Sequence, residues 1–359
     1  MRVIVTAGGT GGHIYPALAC IEKIKEKEPN SEFLYIGTTN RMEKDIVPKL
    51  GINYIGIEMY GITKDIKNDL KLGYLIIKNI KKCKKIIEDF KPDIVLGFGG
   101  YVTYPVIKAA KKKKVKVFIH EQNSIPGKSN KALAKLADKI GISFKESDKY
   151  FDKKKTVFTG NPCSERALQT KEVDKSKYNI PKNKKFVLMV QGSLGSSSVN
   201  SKMLSFLNSI DKEDYEVLYI TGSNSYDSFS KNKFSKNVHI VPYVENLAGL
   251  MKNADVIISR AGASSLSEII ALRKLAIIIP SPYVANNHQY YNAKALSDKK
   301  AVIMIEEKDL NEKILKDKIN KLLSKEYLEL QLNMQLKLSK FNKKDSSTII
   351  YNTIKDMIK

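Results

Sequence analysis

The chain has 359 residues, 42% of them hydrophobic, a formal net charge of +24 and three cysteines. That length predicts two domains rather than one, and no apolar run approaches the ~20 residues that a membrane span needs. Cys20, Cys83 and Cys163 lie far apart without metal-type spacing, which argues against a disulfide scaffold or zinc site and fits reduced thiols in a cytoplasm.

From the N-terminus, Arg2–Ala7 reads as a buried strand running straight into a glycine cluster, with no signal-peptide cleavage region. Further strands are predicted at Phe33–Gly37, Tyr54–Glu58, Ile94–Phe98, Val115–His120, Lys139–Ser143 and Thr156–Thr159, with helices beginning near Pro16, Met42, Asp69, Tyr104 and Lys128. Apolar strands alternating with amphipathic helices mean a parallel sheet covered on both faces. After Gly160-Asn161-Pro162 the pattern restarts. A lysine-rich segment reaches Lys185, and strands follow at Phe186–Gln191, Glu216–Thr221, Val238–Val241, Val256–Ser259, Ala276–Pro280 and Ala301–Ile305. Two doubly wound α/β units are expected, with their boundary within 160–184 and the ligand in a cleft between them. The tail, Asp345–Lys359, reads as a capped amphipathic helix with Ile349, Ile350, Ile354 and Met357 on one side.

Gly8-Gly9-Thr10-Gly11-Gly12-His13 follows the first strand. Glycines permit positive φ and close backbone approach, so several N–H groups can face one anion at a helix N-terminus. The loop is neither a Walker loop nor a true G-x-G-x-x-G; a tight strand–helix turn is the plainer alternative. A second loop, Gly97-Phe98-Gly99-Gly100-Tyr101, and a third, Gln191-Gly192-Ser193-Leu194-Gly195, also end strands. Three such loops divided between two domains argue for a ligand bearing pyrophosphate. His120-Glu121-Gln122-Asn123 ends an apolar strand, where a poorly solvated Glu121 is expected to be paired or functional. In Ser259 through Glu268, Ser265 and Glu268 have capping-box spacing, and a capped N-terminus is also a phosphate site. Asn286 through Ala293 gathers amides and aromatics suited to hydrogen bonding a sugar.

Residues 71–116 hold thirteen lysines against three acids, enough to meet nucleic acid, anionic lipid or a phosphorylated substrate, or simply to form a solvated face. In the helix there, Ile76, Ile80, Cys83, Ile87 and Phe90 are expected on the sheet. Leu70, Tyr74 and Ile77 form a second apolar row, with Lys71, Lys78, Lys81 and Lys85 beside it. Such a strip suits interfacial contact, and ordinary core packing is the alternative.

Taken in order, these motifs resemble the MurG family, bacterial N-acetylglucosaminyltransferases of the GT-B fold. The likeness rests on Gly9 through Ala17, Gly99 through Val102, His120 through Asn123, Gly160 through Pro162, Gly192-Ser193, Arg260 through Glu268 and Gln289 through Ala293, spanning nearly the whole chain. It implies two Rossmann-like domains facing across a cleft: residues 1–160 plus 342–359 for acceptor and membrane, and residues 161–341 for the UDP-sugar donor. It further implies inverting transfer of N-acetylglucosamine from UDP-N-acetylglucosamine to the C4 hydroxyl of undecaprenyl-pyrophosphoryl-N-acetylmuramoyl-pentapeptide, with no cofactor and no tightly bound metal.

By motif position, Thr10, Gly11, Gly12, Asn123, Ser193, Val244, Ala263, Ser264, Ser265, Glu268 and Gln289 would meet the donor, with Val244 presenting backbone to uracil and Glu268 meeting the ribose. Gly9, Gly11, Gly12, Gly99, Gly100 and Tyr101 would form the acceptor diphosphate loops. Leu70, Tyr74, Ile77, Lys78, Lys81 and Lys82 would touch an anionic membrane on the cytoplasmic face, where the protein would be peripheral and near other cell-wall synthesis proteins. The sequence departs from the family pattern at Gln191, Leu194 and His288, and Arg166 arrives later than the usual arginine, leaving its role open.

Inverting transfer needs a base, and an imidazole with its unperturbed pKa of ~6.5 is suited to it. His13 is expected to take the acceptor proton, with Glu121 orienting or polarising the acceptor. Backbone N–H groups and a helix dipole would stabilise the departing diphosphate. Competing expectations are a diacylglycerol glycosyltransferase, a UDP-sugar 2-epimerase, and a nucleic-acid binder. The last lacks any recognised motif or aromatic-lined basic array, so no nucleic-acid partner is expected.

Overall fold

The computed structural model describes residues 1–61, 65–191 and 197–359. The chain divides into two units, Met1–Glu165 with Lys343–Lys359, and Arg166–Asn342.

In the first unit the strands are β1 (Arg2–Thr6), β2 (Glu32–Thr38), β3 (Asn53–Ile57), β4 (Ile94–Gly97), β5 (Lys116–Glu121), β6 (Lys139–Ile142) and β7 (Thr156–Phe158). They pair in parallel in the order β3-β2-β1-β4-β5-β6-β7. Side-chain alternation sends Val3 and Val5 to one face, under helices Gly11–Lys27 and Ser346–Ile358, and Ile4 to the other, under Ile66–Phe90 and Thr103–Lys112. Both faces are therefore covered, and the strand interiors are mainly apolar. Order reverses between β1 and β4, so the crevice beyond their C-terminal ends is where an open α/β sheet takes its ligand.

The second unit repeats the plan. Its strands are β8 (Lys185–Val190), β9 (Tyr215–Ile220), β10 (Val238–Val241), β11 (Val256–Ser259), β12 (Leu275–Ile278) and β13 (Ile303–Met304), again parallel, in the order β10-β9-β8-β11-β12-β13. The reversal here lies between β8 and β11. Every strand expected from the sequence forms within a residue or two of its expected ends.

Helices depart more from expectation. The first begins at Gly11, with Pro16 inside it. The Thr10 carbonyl already accepts from the His13 and Ile14 amides, so the helix starts before the proline, whose missing N–H costs it one internal bond. In Ile66–Phe90 the fully buried positions are Leu72, Leu75, Cys83 and Ile87; Ile76 and Phe90 pack at the core edge and Ile80 is only partly buried. The face is turned because Asn79 is buried too, donating Nδ2 to the Glu58 carbonyl at 2.8 Å. Ser346–Ile358 buries Ile350 and Ile354, with Ile349 and Met357 partly covered. Asp345 does not cap it: its φ is 59° and its side chain makes no capping bond. The buried Glu165 does so instead, accepting from the Ser347 amide at 2.9 Å while its other oxygen pairs with the buried Lys23 at 2.8 Å. The three cysteines are buried, and burial pushes the Cys20 and Cys83 thiols up to about 12.

Candidate active site

At the β1/β4 reversal the first two glycine loops meet. The Gly8 amide donates to the Gly99 carbonyl at 3.2 Å. Gly99 and Gly100 have φ of +105° and +89°, and a Cβ on Gly100 would lie 2.4 Å from the Gly8 oxygen. No residue but glycine fits that approach without a shift of backbone. His13, partly buried in the first helical turn, has Nδ1 at 3.0 Å from the Gly8 carbonyl oxygen. A carbonyl can only accept, so Nδ1 carries a proton, and in the neutral ring the lone pair is on Nε2. That nitrogen faces Gly99, whose added Cβ would lie 3.0 Å from it.

The anion-binding surface of this loop is narrower than expected. Gly9 was expected to serve an acceptor diphosphate, but its amide is already given to Glu43 Oε2 at 3.2 Å, and that of Gly8 to Gly99. Among the described residues the amides of Thr10, Gly11 and Gly12 find no protein acceptor, because they open the helix. Tyr101 is 41% exposed and its ring lies against Gly61.

Glu121, expected to orient or polarise an acceptor, is 1% exposed and spent on its own loop. Oε1 accepts from the Asn123 amide at 2.9 Å and from Asn123 Nδ2 at 3.1 Å; Oε2 accepts from the Gly127 amide at 3.1 Å and from Asn130 Nδ2 at 2.8 Å. With its lone pairs so occupied, it clamps residues 121–130 and has no oxygen left for a substrate. His120 is fully buried, bonded through Nε2 to the Gly160 carbonyl at 2.9 Å, and burial lowers it to about 4. It stays neutral and holds the strand ends together.

In the second unit, Gly192–Ser196, including Ser193, lies outside the described residues. Helix Ala263–Leu272 starts after Gly262, so Ser265 falls within the first turn and the expected Ser265–Glu268 capping box does not form. Ala263 is buried, Ser264 and Ser265 partly so, and Ser264 Oγ is a buried atom without a partner among the described residues. Glu268 is partly buried; desolvation raises it from 4.5 to about 7, against the opposing charge of Arg166. Val244 is buried after β10. Gln289, in helix His288–Ser297, accepts at Oε1 from the Ser281 amide at 2.9 Å. Asn292 is fully buried and donates to the Ala261 carbonyl at 3.2 Å, tying that helix to the loop after β11. Arg260 in that loop is structural: it is buried and pairs with Glu307 at 2.7 Å.

Residues 3–142 match the glycosyltransferase family 28 N-terminal domain and residues 186–348 match its C-terminal domain. A relative from Bacillus cytotoxicus is 40% identical, with 100% of each chain covered; its name is UDP-N-acetylglucosamine–N-acetylmuramyl-(pentapeptide) pyrophosphoryl-undecaprenol N-acetylglucosamine transferase. The chain belongs to the MurG family of glycosyltransferases. The crystal structure of Acinetobacter baumannii MurG has a TM-score of 0.76 to it at 22% identity, covering 99% of this chain and 100% of that one. A putative UDP-N-acetylglucosamine 2-epimerase from Listeria monocytogenes has a TM-score of 0.74 at 13% identity, covering 99% and 96%. These structures show the shared fold, the GT-B pair of Rossmann-like units.

In this MurG-family chain one participant escaped the sequence reading. Glu43, fully buried beneath the first glycine loop, was hidden in the polar run Thr38 through Asp45. Glu121 ends its strand, whereas Glu43 lies five residues beyond the end of β2 and opens the next helix, so no strand-end signal marked it. Arg166, whose role was open, is the cation whose charge acts on Glu268.

Proposed function

We propose that this chain transfers N-acetylglucosamine from UDP-N-acetylglucosamine to the C4 hydroxyl of undecaprenyl-pyrophosphoryl-N-acetylmuramoyl-pentapeptide, with inversion at the anomeric carbon. The observation that carries this reading is His13, its Nδ1 proton given to the Gly8 carbonyl and its Nε2 lone pair free at the strand-order reversal of the first unit. Nε2 takes the hydroxyl proton as the oxygen bonds to C1 and the bond from C1 to the UDP oxygen breaks. The Thr10, Gly11 and Gly12 amides receive the acceptor diphosphate. In the second unit the N-terminus of helix Ala263–Leu272, with Ser264 and Ser265, meets the donor diphosphate and stabilises its charge as it leaves. Val244 presents backbone to uracil, Glu268 accepts from the ribose hydroxyls, and Gln289 offers Nε2 to the sugar.

The lipid-linked acceptor fits a peripheral protein on the cytoplasmic face of the membrane. No helix among the described residues is long and apolar enough to cross one. Leu70, Tyr74 and Ile77 are 72%, 64% and 60% exposed, beside the exposed Lys78, Lys81 and Lys82. An apolar row among lysines is suited to anionic headgroups.

The test is label transfer from UDP-N-acetylglucosamine to a short-chain lipid-linked muramoyl-pentapeptide in EDTA, with diacylglycerol and donor-only controls. Transfer to the muramoyl acceptor alone is expected. Transfer only to diacylglycerol, or conversion of donor without acceptor, overturns the assignment. Loss of activity in EDTA overturns the metal-free account of the leaving group.

A further inference from the structure

Behind the glycine loop, Glu43 and His13 hold opposite ends of one peptide group. Glu43 Oε2 accepts from the Gly9 N–H at 3.2 Å, and the Gly8 C=O accepts from His13 Nδ1 at 3.0 Å. That N–H and C=O belong to the same peptide bond. The other carboxylate oxygen is fixed by the Thr38 amide at 3.0 Å and by Thr38 Oγ1 at 2.6 Å. The site is closed: Glu43 is 0% exposed, and a Cβ on Gly8 would lie 2.5 Å from Oε1.

We propose that Glu43 is a positioning residue for His13, acting through the Gly8–Gly9 peptide, and this rests on His13 being the base. The carboxylate fixes the peptide plane and polarises it, so that the carbonyl becomes a stronger acceptor for Nδ1–H. The Nδ1–H tautomer is thereby locked and Nε2 is the more basic, as a hydrogen-bonded partner does for other imidazoles. When the acceptor hydroxyl gives its proton to Nε2, the imidazolium charge is met by this peptide dipole and the carboxylate behind it. No proton passes to Glu43.

Other groups around the pair do not substitute for it. Helix Gly11–Lys27 has no acid in its first turn, and Tyr15 lies beside Gly11. The second loop contributes Gly99 and the exposed Tyr101. Tyr35 and Tyr54 lie behind Glu43; burial and the Glu43 charge push both phenols up, so they stay neutral. Asp45 and Arg41 are exposed on the helix side.

The test follows the His13 imidazole by NMR titration in the whole chain, beside the pH dependence of kcat. Glu43→Gln is expected to lower the His13 midpoint by roughly 0.5–1 pH unit. The acidic limb of kcat should move by the same amount and kcat should fall ~10-fold, while KM for UDP-N-acetylglucosamine stays unchanged. Glu43→Asp keeps the charge and should restore the midpoint even if kcat remains reduced. A folded Glu43→Gln chain with an unmoved His13 midpoint overturns the proposal, as does Glu43→Asp behaving like Glu43→Gln. Should Glu43→Gln not fold, the ¹⁵N shifts of His13 in the unaltered chain decide. An Nδ1–H tautomer is expected, and an Nε2–H tautomer overturns it. The midpoint does not depend on turnover, so it stands apart from the base assignment, which fails separately if His13→Ala retains near-normal turnover.

Discussion

An imidazole serves as a base only through a ring nitrogen whose lone pair points outward, and for His13, the proposed base, the Gly8 carbonyl arranges this by accepting a hydrogen bond from Nδ1–H. General-base catalysis typically contributes 10²–10⁴-fold, so His13→Ala should lower kcat by ~10²-fold or more, measured by label transfer at saturating donor. Glu268 sets a different pH dependence. Its raised value of about 7 means that it is mostly protonated at pH 6 and mostly ionised at pH 8. A ribose diol donates two protons and is better received by the ionised carboxylate. Donor affinity should therefore rise about tenfold from pH 6 to 8, as the ionised fraction does. Calorimetry with UDP-N-acetylglucosamine should show that rise, and Glu268→Gln should flatten it. A rise that persists in the variant would assign the titration elsewhere.

At the scale of the element, the helix Ile66–Phe90 carries two apolar rows, and only one of them is packed. The unpacked row of Leu70, Tyr74 and Ile77 sits among lysines, each worth ~1 kcal/mol near an anionic surface. Reversing Lys81, Lys82, Lys84 and Lys85 to glutamate should weaken sedimentation with anionic vesicles more than tenfold and leave neutral vesicles unaffected. Unchanged sedimentation would remove this helix from the membrane contact. The strands of both sheets were legible because burial on both faces makes most of them short, predominantly apolar runs. Helix starts were less so. Pro16 mimics a helix start, yet the turn begins at Gly11 once the Thr10 carbonyl finds its amides. Ser265 and Glu268 have capping-box spacing, yet Gly262 takes the cap position because the turn already begins at Ala263. The first two glycine loops and His13 were legible from local spacing. The saturation of Glu121 depends on Asn130 nine residues on, and the burial of Glu43 depends on Gly8 and Gly9, both joined to their partners only by the fold.

At the scale of the whole molecule, the two units differ in how the chain builds them. Arg166–Asn342 is one continuous segment, whereas the first unit is completed only when Lys343–Lys359 returns to it. That return buries Ile350 and Ile354, each worth ~1.5–3 kcal/mol. It also supplies the Ser347 amide to Glu165 and the Lys355 ammonium to Glu28 at 2.6 Å. Removing residues 343–359 would expose the apolar face of Gly11–Lys27 and leave Glu165 with one fewer donor in a buried site. Against a total stability of ~5–15 kcal/mol for a typical domain, the isoleucines alone are a large share. Residues 1–165 alone are therefore expected to be unfolded or to melt far below the full chain by circular dichroism. Residues 166–342 alone should fold and bind UDP-N-acetylglucosamine, since Val244, Ser264, Ser265, Glu268 and Gln289 lie within them. A folded segment 166–342 that does not bind the nucleotide sugar would mean that the first unit supplies part of the donor site. A segment 1–165 as stable as the full chain would make the terminal helix dispensable to the sheet it covers.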